Sequence, residues 1–336
     1  MQEISIREIP EFRIGNAQNP EGATGCTVVI CEKGAKAGVS VRGGGPATRE
    51  TDLLEPTKMV QEIFGLCLSG GSAYGLDAAT GVMRYLEEKG IGFNVGMGVV
   101  PIVPAACLFD LITGDFSCRP DAEMGYEACV DSENWHKEKP SAGTAAPVGT
   151  EPFTGGNIGA GTGATVGKFK GLDYLMKSGL GTYAVRVGDL MIGAVVAVNA
   201  LGDIFDADTG VQIAGMLKED RKSLDSTSQC MWNSVQTDRN VFQGNTSIGV
   251  LITNAALTKD QCNKLAEMAH DGYARVIRPV HTSADGDTIF FLAKGDVQVN
   301  QDALGDLGAY VMAKAVNDAV RSARSAYGAV AACDLF

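Results

Sequence analysis

Histidine is scarce in this chain, with three in 336 residues at positions 136, 270 and 281. No two of them share the i, i+4 spacing of a helical zinc motif, so no metal centre is expected. Basic charge is also in deficit. Against 40 Asp and Glu stand 28 Lys and Arg, a net charge of -12 with a pI near 4.8, which argues against a general affinity for nucleic acid or anionic membranes. No window holds the ~18 consecutive apolar residues of a membrane span, and the start, Met1 to Glu8, lacks a basic region followed by an apolar run. The nine cysteines contain no Cys-x-x-Cys and are odd in number, which reads as reduced packing thiols in a cytoplasmic protein. No internal repeat or low-complexity tract is visible. With 45% hydrophobic residues and a mean hydropathy of +0.04, the chain is globular and long enough for one large domain or two ordinary ones.

Several motifs are absent on inspection. The glycine-rich run from Gly159 to Lys168 invites a phosphate loop, but the first glycine of that spacing falls on Thr162 and Phe169 follows the lysine. A dinucleotide fingerprint fails at Val166. Asp285-Gly286-Asp287 lacks the later glutamate of a calcium loop, and Ser72 lacks the glycine two places on that a nucleophile elbow requires. No cofactor is expected. The glycines instead allow backbone to approach backbone, or amides to face a substrate oxygen.

What is present is an interleaving of β and α patterns. Residues 26–31 and 37–42, either side of Glu32-Lys33-Gly34, read as a hairpin. Residues 56–88 read as two helical segments broken at Gly70-Gly71. A second hairpin is expected at 184–187 and 191–198, turning at Gly188-Asp189, its second strand central because it is apolar on both faces. Thr258 and Gln261 form a capping-box signature, and a last helix is expected over about 303–323. The polar stretch 218–243 resembles a surface linker. Helices flanking such strands give a layered α/β sandwich.

The linker leads to Gly244-Asn245-Thr246-Ser247, at the start of the apolar strand 248–252. A threonine hydroxyl is a poor nucleophile without an adjacent base, and one such base is the threonine's own α-amine, which must be freed by cutting the chain before it. Thr246 is thus a candidate nucleophile and Asn245-Thr246 a candidate scissile bond, although an ordinary loop-to-strand junction looks the same. Lys168, Asn199 at the end of an apolar strand, and the pair Asp285 and Asp287 supply a cation, an amide donor and two carboxylates.

Taken in order, the runs 42–52, 68–76, 159–165 and 198–200, with Asn245-Thr246 and Asp285-Gly286-Asp287-Thr288, resemble the DmpA family. This is the L-aminopeptidase/D-esterase type, which includes β-aminopeptidases, nylon-oligomer hydrolases and a pantetheine hydrolase. The resemblance covers nearly the whole chain. It implies a four-layer αββα fold like that of N-terminal-nucleophile hydrolases, with residues 1–336 forming one precursor cut into 1–245 and 246–336. It also implies a tetramer of such pairs acting on small peptides, amides or esters. By position, Thr246 would be the nucleophile, Asn199 an oxyanion donor and Lys168 a neighbour of the nucleophile. Asp285 and Asp287 would support processing and the charge state of the amine, and Tyr126 would be an active-site tyrosine. The Thr and Asp/Asp version is similar to the nylon-oligomer hydrolase side. Acyl transfer, as in the ornithine acetyltransferases, and an unprocessed binding protein are the alternatives.

Overall fold

The computed structural model describes residues 1–135, 155–236 and 244–335. Ten strands hydrogen-bond into one continuous sheet that bends into two layers. The principal strands are β1 (Arg13–Asn19), β2 (Thr24–Val41), β3 (Ile63–Ser69), β4 (Ala105–Cys107), β5 (Leu180–Val187), β6 (Leu190–Asn199), β7 (Thr246–Ala255) and β8 (Thr288–Val297). Four helices cover them: α1 (Ala78–Glu88), α2 (Ala122–Ser132), α3 (Lys259–Val276) and α4 (Gln301–Ser322).

Side-chain alternation along the strands sorts the interior into three clusters, one for each interface of a four-layer αββα sandwich. Val28 and Ile30 of β2 and Cys67 of β3 turn outward against Ala79, Val82 and Leu86 of α1 and Ala128 of α2. Val29, Leu66 and Leu68 turn inward and meet Val195, Ala197, Ile248, Val250 and Phe290 of the second layer. The opposite faces of β6, β7 and β8, with Val196, Leu251 and Phe291, pack on Leu265 and Tyr273 of α3 and Val316 of α4.

Strand β2 is the hinge between layers, and here the expected hairpin is corrected. Residues 24–30 pair with β1 and β3, whereas residues 36–41 pair with β8. Gly34, at φ +74, and a register shift between Ile30 and Ala35 bend one strand of 18 residues instead of reversing it. Residues 63–69, expected as helix, are a strand buried almost throughout; a short run apolar on both faces has no helical period to distinguish it. The second hairpin, the capping box and the last helix are as expected. The stretch 218–236 is built rather than a plain linker. It carries a short helix, Thr227–Asn233, whose Thr227 binds the Asp203 carboxylate through both N–H and hydroxyl. The rest of that stretch, residues 237–243, lies outside the described residues, as does His136. Among the described residues no helix is long and apolar enough to cross a membrane, and no cluster of His, Cys, Asp and Glu is arranged to hold a metal ion.

Topology gathers the candidate residues. β7 and β8 run parallel, joined through α3, while β6 and the second half of β2 run antiparallel to them. The starts of β7 and β8 and the ends of β6 and β2 therefore lie along one edge. Asn199 pairs with Thr246, Ile248 with Thr288, and Thr288 with Val41.

Candidate active site

Thr246 is the first residue of β7 and is buried, as is Asn245 before it. Its hydroxyl donates to the carbonyl oxygen of Asn245, across the peptide bond that joins them. The backbone N–H of Gly286 donates both to the Thr246 hydroxyl oxygen at 3.0 Å and to the Asn245 carbonyl at 3.2 Å. One donor thus serves both the nucleophile candidate and the bond before it. A Cβ on residue 286 would stand 2.7 Å from the Thr246 hydroxyl oxygen, so the approach requires glycine. Sequence reading passed over Gly286 because a backbone donor leaves no side-chain signature; its only trace was the small residue between two aspartates.

The loop carrying Gly286 is fixed from both sides. Asp285 accepts from the Thr282 N–H at 2.8 Å and the Thr282 hydroxyl at 2.6 Å. Asp287 accepts from Ser247 N–H at 2.7 Å on one oxygen, and from His281 N–H at 3.2 Å and His281 Nδ1 at 2.8 Å on the other. Beneath them runs Arg42-Gly43-Gly44-Gly45. Its amides donate to the carbonyls of Asp287, Thr282 and Asp285. A Cβ at Gly43 would fall 2.4 Å from the Asp285 carbonyl oxygen, so this glycine run is a cradle for the loop rather than a simple strand terminator.

Lys168 is fully buried and donates from Nζ to Asn199 Oδ1 at 2.6 Å and to the Asn199 carbonyl at 3.1 Å. Burial pulls its ammonium down to about 7, against the opposing charges of Asp285 and Asp110. Burial pushes Asp285 up to about 6, with the charge of Asp287 adding to the effect. The Asn199 Oδ1 also accepts from Thr165 N–H at 3.0 Å, and its Nδ2 donates to the Phe109 carbonyl at 2.8 Å. One amide hydrogen of Asn199 is therefore committed to Phe109, and the donor on the Asn245 carbonyl is Gly286. His270, also unassigned from sequence, stacks edge-on against His281 with ring centroids 4.7 Å apart and bonds the Ser40 carbonyl. Burial lowers His270 to about 4, so it is neutral.

The structure thus brings Thr246, Asn245, Asn199, Lys168, Asp285 and Asp287 to one sheet edge. It places Tyr126 elsewhere. That residue lies on α2 in the outer helical layer, where its hydroxyl donates to Glu88 at 2.7 Å and its ring packs against Tyr85 and under Arg84. A cavity of about 80 Å³ borders the nucleophile candidate, lined by Gly45, Ala47, Ser72, Cys107, Phe109 and the 244–246 and 283–284 segments, with no charged side chain among the described residues that line it. A larger groove of about 880 Å³ lies at the far ends of β7 and β8, around Ala255 and Lys294, away from this chemistry.

Known proteins are similar to this chain over most of its length. The chain is 40% identical to an uncharacterised aminopeptidase of Mycobacterium leprae, over 99% of this chain and 94% of that one. It is 28% identical to the 6-aminohexanoate-oligomer endohydrolase of Kocuria sp., over 94% and 85%. Among solved structures, a Burkholderia sp. β-aminopeptidase superposes with a TM-score of 0.65 at 19% identity, covering 98% of this chain and 92% of that one. The L-aminopeptidase D-Ala-esterase/amidase of Ochrobactrum anthropi, described as a variant of the Ntn hydrolase fold, superposes with a TM-score of 0.64 at 18% identity, covering 95% and 86%. Residues 5–332 match peptidase family S58, and the chain belongs to that family, as a hydrolase of peptide or amide bonds built on the Ntn-type fold.

Proposed function

We propose that this hydrolase makes its own nucleophile by cutting the Asn245-Thr246 bond. The observation that carries the reading is the shared Gly286 N–H, which binds the Thr246 hydroxyl and the Asn245 carbonyl together in a buried site. The hydroxyl attacks that carbonyl, Gly286 stabilises the oxyanion, the peptide nitrogen leaves as the α-amine of Thr246, and water hydrolyses the resulting ester. Lys168 loses its proton near 7 and is a base within the same buried cluster. In the processed enzyme the Thr246 hydroxyl attacks a short peptide or amide, its proton passing to the new α-amine. An acyl-enzyme forms on Thr246, the amine product departs, and water releases the acid. Asn199 holds Lys168 and adds its amide to the oxyanion site, while Asp285 and Asp287 set the charge state of the α-amine.

The names of the relatives, aminopeptidase and oligomer endohydrolase, point to short peptides and linear amides as substrates. The nine unpaired cysteines suit a reducing compartment such as the cytoplasm, and a tetramer of processed pairs is the assembly in which the enzyme works. The test is the intact mass of the purified protein beside Thr246→Ala. Two species of about 26 and 9 kDa by chain length, the smaller beginning at Thr246 and absent in the variant, are expected. A single 35.1 kDa species in both preparations after long incubation rejects the reading.

A further inference from the structure

Among the described residues the cavity at Thr246 has no charged side chain in its wall, which points to its surroundings for a group that recognises substrate charge. One wall residue, Ser72, stands at φ +55, an unusual conformation for a side chain with a Cβ. It is held there by its N–H to the Leu108 carbonyl at 2.9 Å and by Gly71 N–H to Asp110 at 2.7 Å. Two residues on, Tyr74 is 59% exposed and lies under the guanidinium of Arg119, 4.1 Å from its ring centroid. Phe116, also 59% exposed, lies 6.0 Å from the same guanidinium. Arg119 lies beside Gly71, the residue before the wall residue Ser72: its Cβ is 3.4 Å from where a Cβ on Gly71 would be.

Among the described residues Arg119 has no ion pair and no hydrogen bond, in a chain of net charge -12. Three of the nearby carboxylates are turned to other donors. Asp115 accepts from Ser117, Asp121 from Met124 N–H at the start of α2, and Asp77 from Ala122 N–H. Stacking on Tyr74 occupies a face of the guanidinium and, among the described residues, leaves its edge without a hydrogen-bond partner, and that edge is the fork that matches a carboxylate in two parallel hydrogen bonds. Gly71, beside Arg119, is joined directly to the wall residue Ser72, and a peptide extends by up to about 3.6 Å per residue, so a substrate running from the cavity along this loop meets Arg119.

We infer that Arg119, bracketed by Tyr74 and Phe116, is a carboxylate-binding subsite, and that the preferred substrates are short peptides or amides carrying a free carboxylate. The inference rests on the reading of Thr246 as the nucleophile. Its test is kcat/KM of the processed enzyme for alanyl-alanine against alanyl-alaninamide, and for the linear 6-aminohexanoate dimer against its amide. The wild type is expected to favour the acid in each pair it cleaves by roughly 10- to 100-fold, the effect of one charge-assisted hydrogen-bonded pair. Arg119→Gln is expected to erase that preference, chiefly by raising KM for the acid, and Arg119→Lys to retain part of it, which separates lost recognition from lost folding. A processed wild type that prefers neither partner or cleaves none of the four overturns the inference alone, as does an Arg119→Gln enzyme that still prefers the acid. A chain that never processes, seen by intact mass, overturns the underlying reading and the inference with it.

Discussion

At the scale of single residues, the site depends on one carboxylate held on both oxygens. Asp287 takes Ser247 N–H on one side and the backbone and Nδ1 of His281 on the other. Because the carboxylate only accepts, Nδ1 of His281 carries the proton. His281 stands at φ +55, where glycine is unstrained and asparagine is tolerated. His281→Gly therefore removes the imidazole without backbone strain, and His281→Asn keeps a side-chain N–H donor near the position of Nδ1. Processing is expected to slow roughly 10-fold or more in His281→Gly, the loss of one charge-assisted hydrogen bond, and to recover most of its rate in His281→Asn. Time courses of intact mass at equal protein concentration read the difference; equal rates in both variants would remove His281 from the mechanism. The candidate residues that were legible in the sequence were those with side-chain chemistry, Thr246, Asn199 and the aspartate pair at strand ends and Lys168 in its glycine loop. Gly286 and His281 were not, because one acts through its backbone and the other only through a partner six residues on.

Among the elements, the loops around the site are joined by buried polar contacts rather than by long strands. Asp110 follows β4 and binds Gly71 N–H after β3 and the Thr24 hydroxyl at the start of β2. Gly163 of the Lys168 loop packs against it. Burial raises Asp110 from 3.8 to about 6. The folded state then holds a proton between about pH 4 and 6 that the unfolded chain has released, so stability falls as pH rises through that window. Below it both states are protonated and the cost is absent; above it the full cost, up to about 3 kcal/mol, applies. Asp110→Asn keeps the shape and the Gly71 contact but has no such titration. The stability of the wild type relative to Asp110→Asn, from denaturant midpoints at pH 4.5 and 7, is expected to decline with pH, and a constant difference would show that Asp110 does not titrate there. Elements with a single clear period, such as α3 and α4, were legible in sequence. The continuity of β2, whose two halves read as separate strands, and the strand β3 were not, since the bulge at Gly34 and the sheet on either side of β3 are tertiary features with no local period.

Considered as a whole, the molecule explains how a chain can be cut at a central strand and stay folded. The proposed cut frees residues 246–336, which supply β7, α3, β8 and α4. β7 lies between β6 and β8, β8 lies between β7 and the second half of β2, and the helices cover one face of that sheet. The inward side chains Ile248, Val250, Ile252, Phe290 and Leu292 form the middle interface with the other layer. Removing this piece would expose two sheet edges and open two of the three apolar interfaces, at a cost far above the few kcal/mol that one broken peptide bond can return as chain entropy. The layered order was legible from the resemblance of the sequence runs, whereas this shared sheet appears only once register is known. Processed protein is accordingly expected to elute from size exclusion as one peak containing both fragments in equal amounts, and to separate only in denaturant. Fragments that part under native conditions would mean that 246–336 is not the centre of the sheet, contrary to the pairing of β7 with β6 and β8 on which the site itself depends.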